Sequence, residues 1–125
     1  MTKIEYTHTP HYFAITFRGH AGYAPVGRDI VCAAVSILAS ELLYACEQAA
    51  AAGEITDYAH SEGSAFADVR FYYRRTGSMR QIVKLILVSL KMLEAEYGDY
   101  VQLKEAQAPS TLSNSNKKSK RAGLQ

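Results

Sequence analysis

The chain has 125 residues, 48% hydrophobic and 21% charged, a size and balance that suit one domain around a single core. No run approaches the roughly 18–20 consecutive apolar residues of a membrane span, and the opening M-T-K-I-E-Y lacks the apolar centre of a secretory signal. A cytoplasmic address with reduced thiols is therefore expected. The formal net charge of +2 hides an asymmetry: Lys117, Lys118, Lys120 and Arg121 crowd the last nine residues, and without them ten basic residues face twelve acidic ones. A basic end of this kind suits RNA contact, but the favoured reading is a solvated, disordered tail over residues 106–125.

In chain order, Ile4 to Thr9 alternates apolar and polar residues, the period of a half-buried strand. Pro10 interrupts, and Tyr12 to Phe17 (Y-F-A-I-T-F) reads as a second strand closing a hairpin. A glycine-bearing loop follows from Arg18 to Arg28. Asp29 then opens a helix to about Ala52, its carboxylate suited to the free N–H groups of the first turn, with Gly53 as the stop. Val31, Ala34, Val35, Leu38, Leu42, Ala45 and Cys46 make its apolar face.

Ile55 to His60 and Ala65 to Tyr73 read as two more strands around Ser61-Glu62-Gly63-Ser64, the second with one wet face. A second helix runs from about Ser78 to Tyr97, with Ile82, Leu85, Ile86, Ser89, Leu90, Leu93 and Tyr97 inward. Val83 and Leu87 widen that stripe, so deep burial is expected of it. After Gly98, Asp99 to Glu105 forms the last strand. The order β-β-α-β-β-α-β predicts an α+β domain over residues 1–105, with two helices packed on an antiparallel sheet.

Cys32 and Cys46 lie fourteen residues apart on one predicted helix, about 21 Å along its axis. A disulfide needs Cα atoms within about 7 Å, and no C-x-x-C or H-x-x-x-H spacing points to zinc. Cys46 sits mid-helix on the apolar face and reads as a small core hydrophobe. Cys32 falls in the first turn, where unpaired N–H groups and the helix dipole favour a thiolate and suit an oxyanion. A cysteine nucleophile needs a basic partner. His20 is the best placed, at the end of the second strand, with a loop of eight residues before Asp29. His8, His11 and His60 lie on or beside strands and are expected to be solvent-exposed.

Two strings in the sequence go together. Gly19-His20-Ala21, a glycine-containing spacer, then Gly27-Arg28-Asp29-Ile30-Val31-Cys32-Ala33 and Ser36 resemble the signature of the ribosomal-processing cysteine proteases, the Prp family. The second helix, L-I-L-V-S-L-K-M-L-E-A-E-Y from Leu85 to Tyr97, resembles that family's C-terminal helix, and the likeness covers roughly residues 3 to 105. The resemblance implies an endopeptidase that removes the N-terminal extension of large-subunit ribosomal protein twenty-seven, cutting after an aromatic residue. It implies a homodimer of α+β fold that needs no cofactor or metal. By the same likeness Cys32 is the nucleophile and His20 its base. Gly19, Ala21, Gly22, Tyr23 and Gly27 then belong to a loop that closes over the substrate. Asp29 either orients His20 or caps the helix, and Ser36 bonds either in the site or back to its own helix.

Two other readings compete. A non-catalytic ribosome- or RNA-associated module rests on the basic tail alone and leaves the helix-start cysteine unexplained. A redox-sensing thiol needs a resolving partner for Cys32, and Cys46 is too far away.

Overall fold

The computed structural model describes residues 1–25, 27–61, 67–74 and 77–107. The tail beyond 107, most of the expected turn after Ser61 and the expected strand start at residues 65 and 66 lie outside the described residues. The elements are β1 (Thr2–Thr9), β2 (Tyr12–Arg18), α1 (Ile30–Ala51), β3 (Ile55–Ser61), β4 (Ala67–Tyr73), α2 (Ser78–Tyr97) and β5 (Val101–Glu105), in the expected order.

Period-two alternation puts one face of the sheet into the core. Ile4 and Tyr6 of β1, Phe13, Ile15 and Phe17 of β2, and Val69, Phe71 and Tyr73 of β4 are all buried. The register lines them up across strands: Ile4 opposite Phe17 opposite Ala67, then Tyr6, Ile15 and Val69, then His8, Phe13 and Phe71. His8 therefore lies on the inner face, and it departs from the exposed role expected of it. Its Nε2 is 2.6 Å from the Tyr73 hydroxyl, and its ring sits edge-on to Phe13. Burial, the dominant influence, pulls its pKa below the ordinary histidine value.

The sheet order is β3-β4-β2-β1-β5. Four strands pair antiparallel, but β5 lies parallel to β1, with Thr2 opposite Val101 and Tyr6 opposite Glu105. The sheet is mixed rather than purely antiparallel as expected. The reason is that β4 runs in the direction of β1, so α2 acts as a crossover that returns the chain parallel to both. By the same logic α1 carries the chain from β2 to a parallel β3, with β4 later filling the gap.

Both ends of α1 follow from sequence. Asp29 caps its start through a bond from the Cys32 N–H. At its end the Gly53 N–H bonds Ala50 O and the Glu54 N–H bonds Ala49 O, with Gly53 at φ +75°. Those two bonds satisfy carbonyls the helix leaves open and require a left-handed residue, which glycine supplies. Val31, Val35, Ala39, Leu42, Cys46 and Ala49 form the buried stripe of α1.

The second helix, α2, is less enclosed than expected. Met79, Val83, Ile86, Leu87 and Leu90 are the buried residues of α2, whereas Leu85 is 67% exposed, with Val88 and Met92 beside it on the outer side. In α1, Ile37 and Tyr44 are also exposed. By length and a mean hydropathy of 1.7, α1 is apolar enough to cross a membrane, contrary to the count of consecutive apolar residues. Ser36, Ser40 and Glu41 break that count, while seven alanines keep the average high. Its inner stripe nonetheless belongs to the core packed on the sheet.

Candidate active site

The site forms where β2 leaves the sheet and α1 begins. Gly19 stands at φ +79°, and a Cβ there would come within 2.6 Å of the Met1 carbonyl oxygen. Only glycine satisfies both the left-handed turn and that close approach. The turn delivers His20 to an exposed position, and the next residue, Ala21, is buried and holds the chain down.

At the other end of the loop, the Asp29 carboxylate has three backbone donors. Oδ1 accepts from the Cys32 N–H at 2.8 Å, and Oδ2 accepts from the Tyr23 N–H at 3.0 Å and the Ala24 N–H at 3.3 Å. These bonds, that from Cys32 first, hold its carboxyl below the usual carboxylate range. Asp29 is thus the helix cap and also a tie on the loop. Among the described residues it makes no hydrogen bond to His20, so the open choice between capping and orienting falls to capping in this state.

Cys32 is the third residue of α1, partly exposed, with a free thiol. An open cleft of about 740 Å³ has His20, Asp29, Cys32 and Ser36 on its wall, with Gly22 and Gly27 contributed by the loop. Residues twelve apart in sequence, His20 and Cys32, therefore face one cavity. Three residues assigned to the substrate loop, Gly19, Ala21 and Tyr23, do not line it. Gly19 shapes the turn, Ala21 anchors it, and Tyr23 turns toward Tyr97 and Tyr100, with ring centroids 5.6 and 5.1 Å away.

Chemically, the cleft offers a thiol, an imidazole and a hydroxyl at the start of a helix, open to an extended chain. One expectation changes: the Cys32 amide is committed to Asp29, so it is not presented to an oxyanion in this state. Cys46 is fully buried, and burial pushes its thiol up to about 12, which removes it from nucleophilic chemistry near neutral pH. No group of three or more His, Cys, Asp or Glu side chains suited to a metal occurs among the described residues. The tyrosines that meet Tyr23 were not anticipated as part of this region. Tyr97 read only as a helix core position, and nothing local links either ring to a loop some seventy residues earlier.

Residues 1–102 match the model of a protein family described as cysteine protease Prp. Among solved structures, the fold is similar to the essential ribosomal processing protease Prp from S. aureus in complex with a covalently linked product peptide. The TM-score is 0.57 at 22% identity, over 85% of this chain and 100% of that one. It is also similar to SMU.848 from Streptococcus mutans, with a TM-score of 0.55 at 20% identity over 86% of this chain and 96% of that one. At these identities both likenesses are of fold. No curated protein matches the sequence.

Proposed function

We propose that this chain, which belongs to the Prp family of cysteine proteases, removes the N-terminal extension of large-subunit ribosomal protein twenty-seven, with Cys32 as nucleophile and His20 as base. The observation that carries the reading is the single cleft lined by both His20 and Cys32, inside the stretch that matches the family.

In this mechanism His20 takes the Cys32 proton, and the sulfur attacks the scissile carbonyl carbon. As the tetrahedral intermediate collapses, the carbon–nitrogen bond breaks and His20 returns its proton to the departing amine. A water molecule, deprotonated by the same imidazole, then hydrolyses the thioester and frees Cys32. The exposure of His20 and partial exposure of Cys32 suit a substrate that is a chain terminus and needs no deep pocket. Such a protease acts in the cytoplasm, where ribosomal proteins are made and assembled.

The test is to incubate the protein with ribosomal protein twenty-seven carrying its extension, and with a form lacking it, and to record intact masses. The extended form is expected to lose one N-terminal fragment while the short form keeps its mass. An extended form that survives prolonged incubation at stoichiometric enzyme contradicts the substrate assignment.

The same reading includes a homodimer, supported by the outer face of the two helices. Tyr44 and Leu85, both 67% exposed, line a groove of about 500 Å³ between α1 and α2, and Met92 of α2 is 65% exposed. A continuous apolar patch of this sort is characteristic of an interface. Its charges also suit a two-fold partner: α1 carries only acids, Glu41 and Glu47, while α2 carries Arg80, Lys84 and Lys91 over its first two-thirds. Laying α1 of one copy on α2 of the other pairs opposite signs twice. Sedimentation should show a dimer for the wild type and a monomer for Leu85→Glu, and a monomeric wild type contradicts this part of the proposal.

A further inference from the structure

We infer that Tyr23 is a positioning residue, a latch that fastens the loop over the cleft to the corner between α2 and β5. The sequence of this loop, Gly22-Tyr23-Ala24-Pro25, supplies one large side chain among small ones. Its ring does not enter the cleft. It stands edge-on to Tyr97 at an interplanar angle of 84° and to Tyr100 at 81°, the T-shaped arrangement that aromatic quadrupoles favour.

The receiving corner is fixed independently of the loop. The Tyr100 N–H bonds Tyr97 O at 2.8 Å, which sets the two tyrosines relative to each other, and the Thr2 N–H bonds Tyr100 O at 2.9 Å, which ties them to β1. Thr2 is buried and paired with Val101 at the start of the parallel β1–β5 ladder. Tyr97 and Tyr100 therefore form a receptor held by helix and sheet together.

The loop is held from its other side by Asp29, whose Oδ2 accepts the N–H groups of Tyr23 and Ala24 while Oδ1 accepts that of Cys32. Tyr23 thus has its backbone tied to the start of the nucleophile's helix and its ring tied to the α2–β5 corner. Gly22 and Ala24, its neighbours on either side, both line the cleft. The ring contacts consequently set how far that wall stands from Cys32. Releasing them alters access to the thiol and the binding of an extended chain, and leaves the Cys32 and His20 side chains themselves in place.

This inference concerns loop position and stands whether or not the proteolytic reading holds. The experiment compares the full chain with Tyr23→Ala, Tyr23→Phe and Tyr97→Ala by hydrogen exchange at the amides of residues 23 and 24 and by the rate of Cys32 alkylation with iodoacetamide. A T-shaped pair shifts an equilibrium by about two- to tenfold. With two such pairs lost, Tyr23→Ala should exchange and alkylate about tenfold faster than wild type. Tyr97→Ala should move both readouts in the same direction by less, and Tyr23→Phe, which keeps the ring, should stay close to wild type. Wild-type exchange and alkylation in Tyr23→Ala overturn the latch. Tyr23→Phe behaving like Tyr23→Ala overturns it as well, because the hydroxyl rather than the ring contact would then hold the loop. Where the extended ribosomal protein is cut, Tyr23→Ala should change KM more than kcat, and equal loss in both contradicts a positioning role. If the wild type cuts nothing, the proposed substrate fails while the exchange and alkylation results still decide the latch.

Discussion

Replacing Cys32 with alanine should lower cleavage of the extended ribosomal protein by about ten-thousand-fold or more, because its thiol is the group proposed to form the acyl intermediate. The fold should survive the change. Cys32 lies on the partly exposed side of the first turn of α1, followed by two alanines, and alanine is the best helix former. The Asp29 cap bonds the backbone of residue 32 and is indifferent to its side chain. Cys46→Ala is the matched control, since that thiol is fully buried in the core beneath α1. It should cost roughly 1 kcal/mol of stability through the cavity it leaves, and keep its kcat. Activity measured beside thermal unfolding separates the two cysteines. Normal cleavage by Cys32→Ala contradicts the assigned nucleophile.

His20→Ala has the second-largest expected effect, a loss of about a hundred- to ten-thousand-fold, the usual worth of a positioned acid–base group. The side chain is exposed, while the backbone around it is set by Gly19 against Met1 and by buried Ala21. Structural collapse is therefore not an expected route to lost activity. The open cleft also leaves room for a small surrogate base where the ring was. Added imidazole should restore part of the His20→Ala activity and have no effect on Cys32→Ala. A His20→Ala enzyme that cleaves at the wild-type rate, or one insensitive to imidazole while Cys32 remains alkylatable, argues for a different base.

The residues proposed to carry this chemistry were legible because their signals are local. Asp29 reads as a cap from its type and its place before an apolar run, and the structure gives it that role. Gly19, His20 and the loop length bring the imidazole to the cysteine's end of the helix, and the two side chains do line one cleft. Cys46 sits in the core, as its place on the apolar stripe predicts.

What the sequence hid is long-range. The parallel pairing of β5 with β1 joins residues about a hundred positions apart and depends on where a crossover lands, which no local pattern encodes. The same contact builds the corner that receives Tyr23, so missing one meant missing the other. His8 was expected to be exposed because no partner for it is visible in the sequence nearby, yet the register puts it in line with Phe13 and Phe71 on the inner face, and its partner Tyr73 lies 65 residues away. Leu85 was expected inward, but the buried stripe of α2 is rotated toward Val83 and Leu87, the residues that widened the expected stripe, and Leu85 lies on the exposed side. Periodicity within one chain cannot distinguish such an exposed apolar surface from a core.

The most direct test of the account follows the cleavage reaction on the enzyme's own mass. Wild-type protein mixed with extended ribosomal protein twenty-seven, quenched in acid within the first turnover and digested, should carry the extension as a thioester on the peptide containing Cys32. An extension found on any other residue, or cleavage that proceeds with no acyl-enzyme under conditions that trap a thioester, contradicts Cys32 as the nucleophile of this protease.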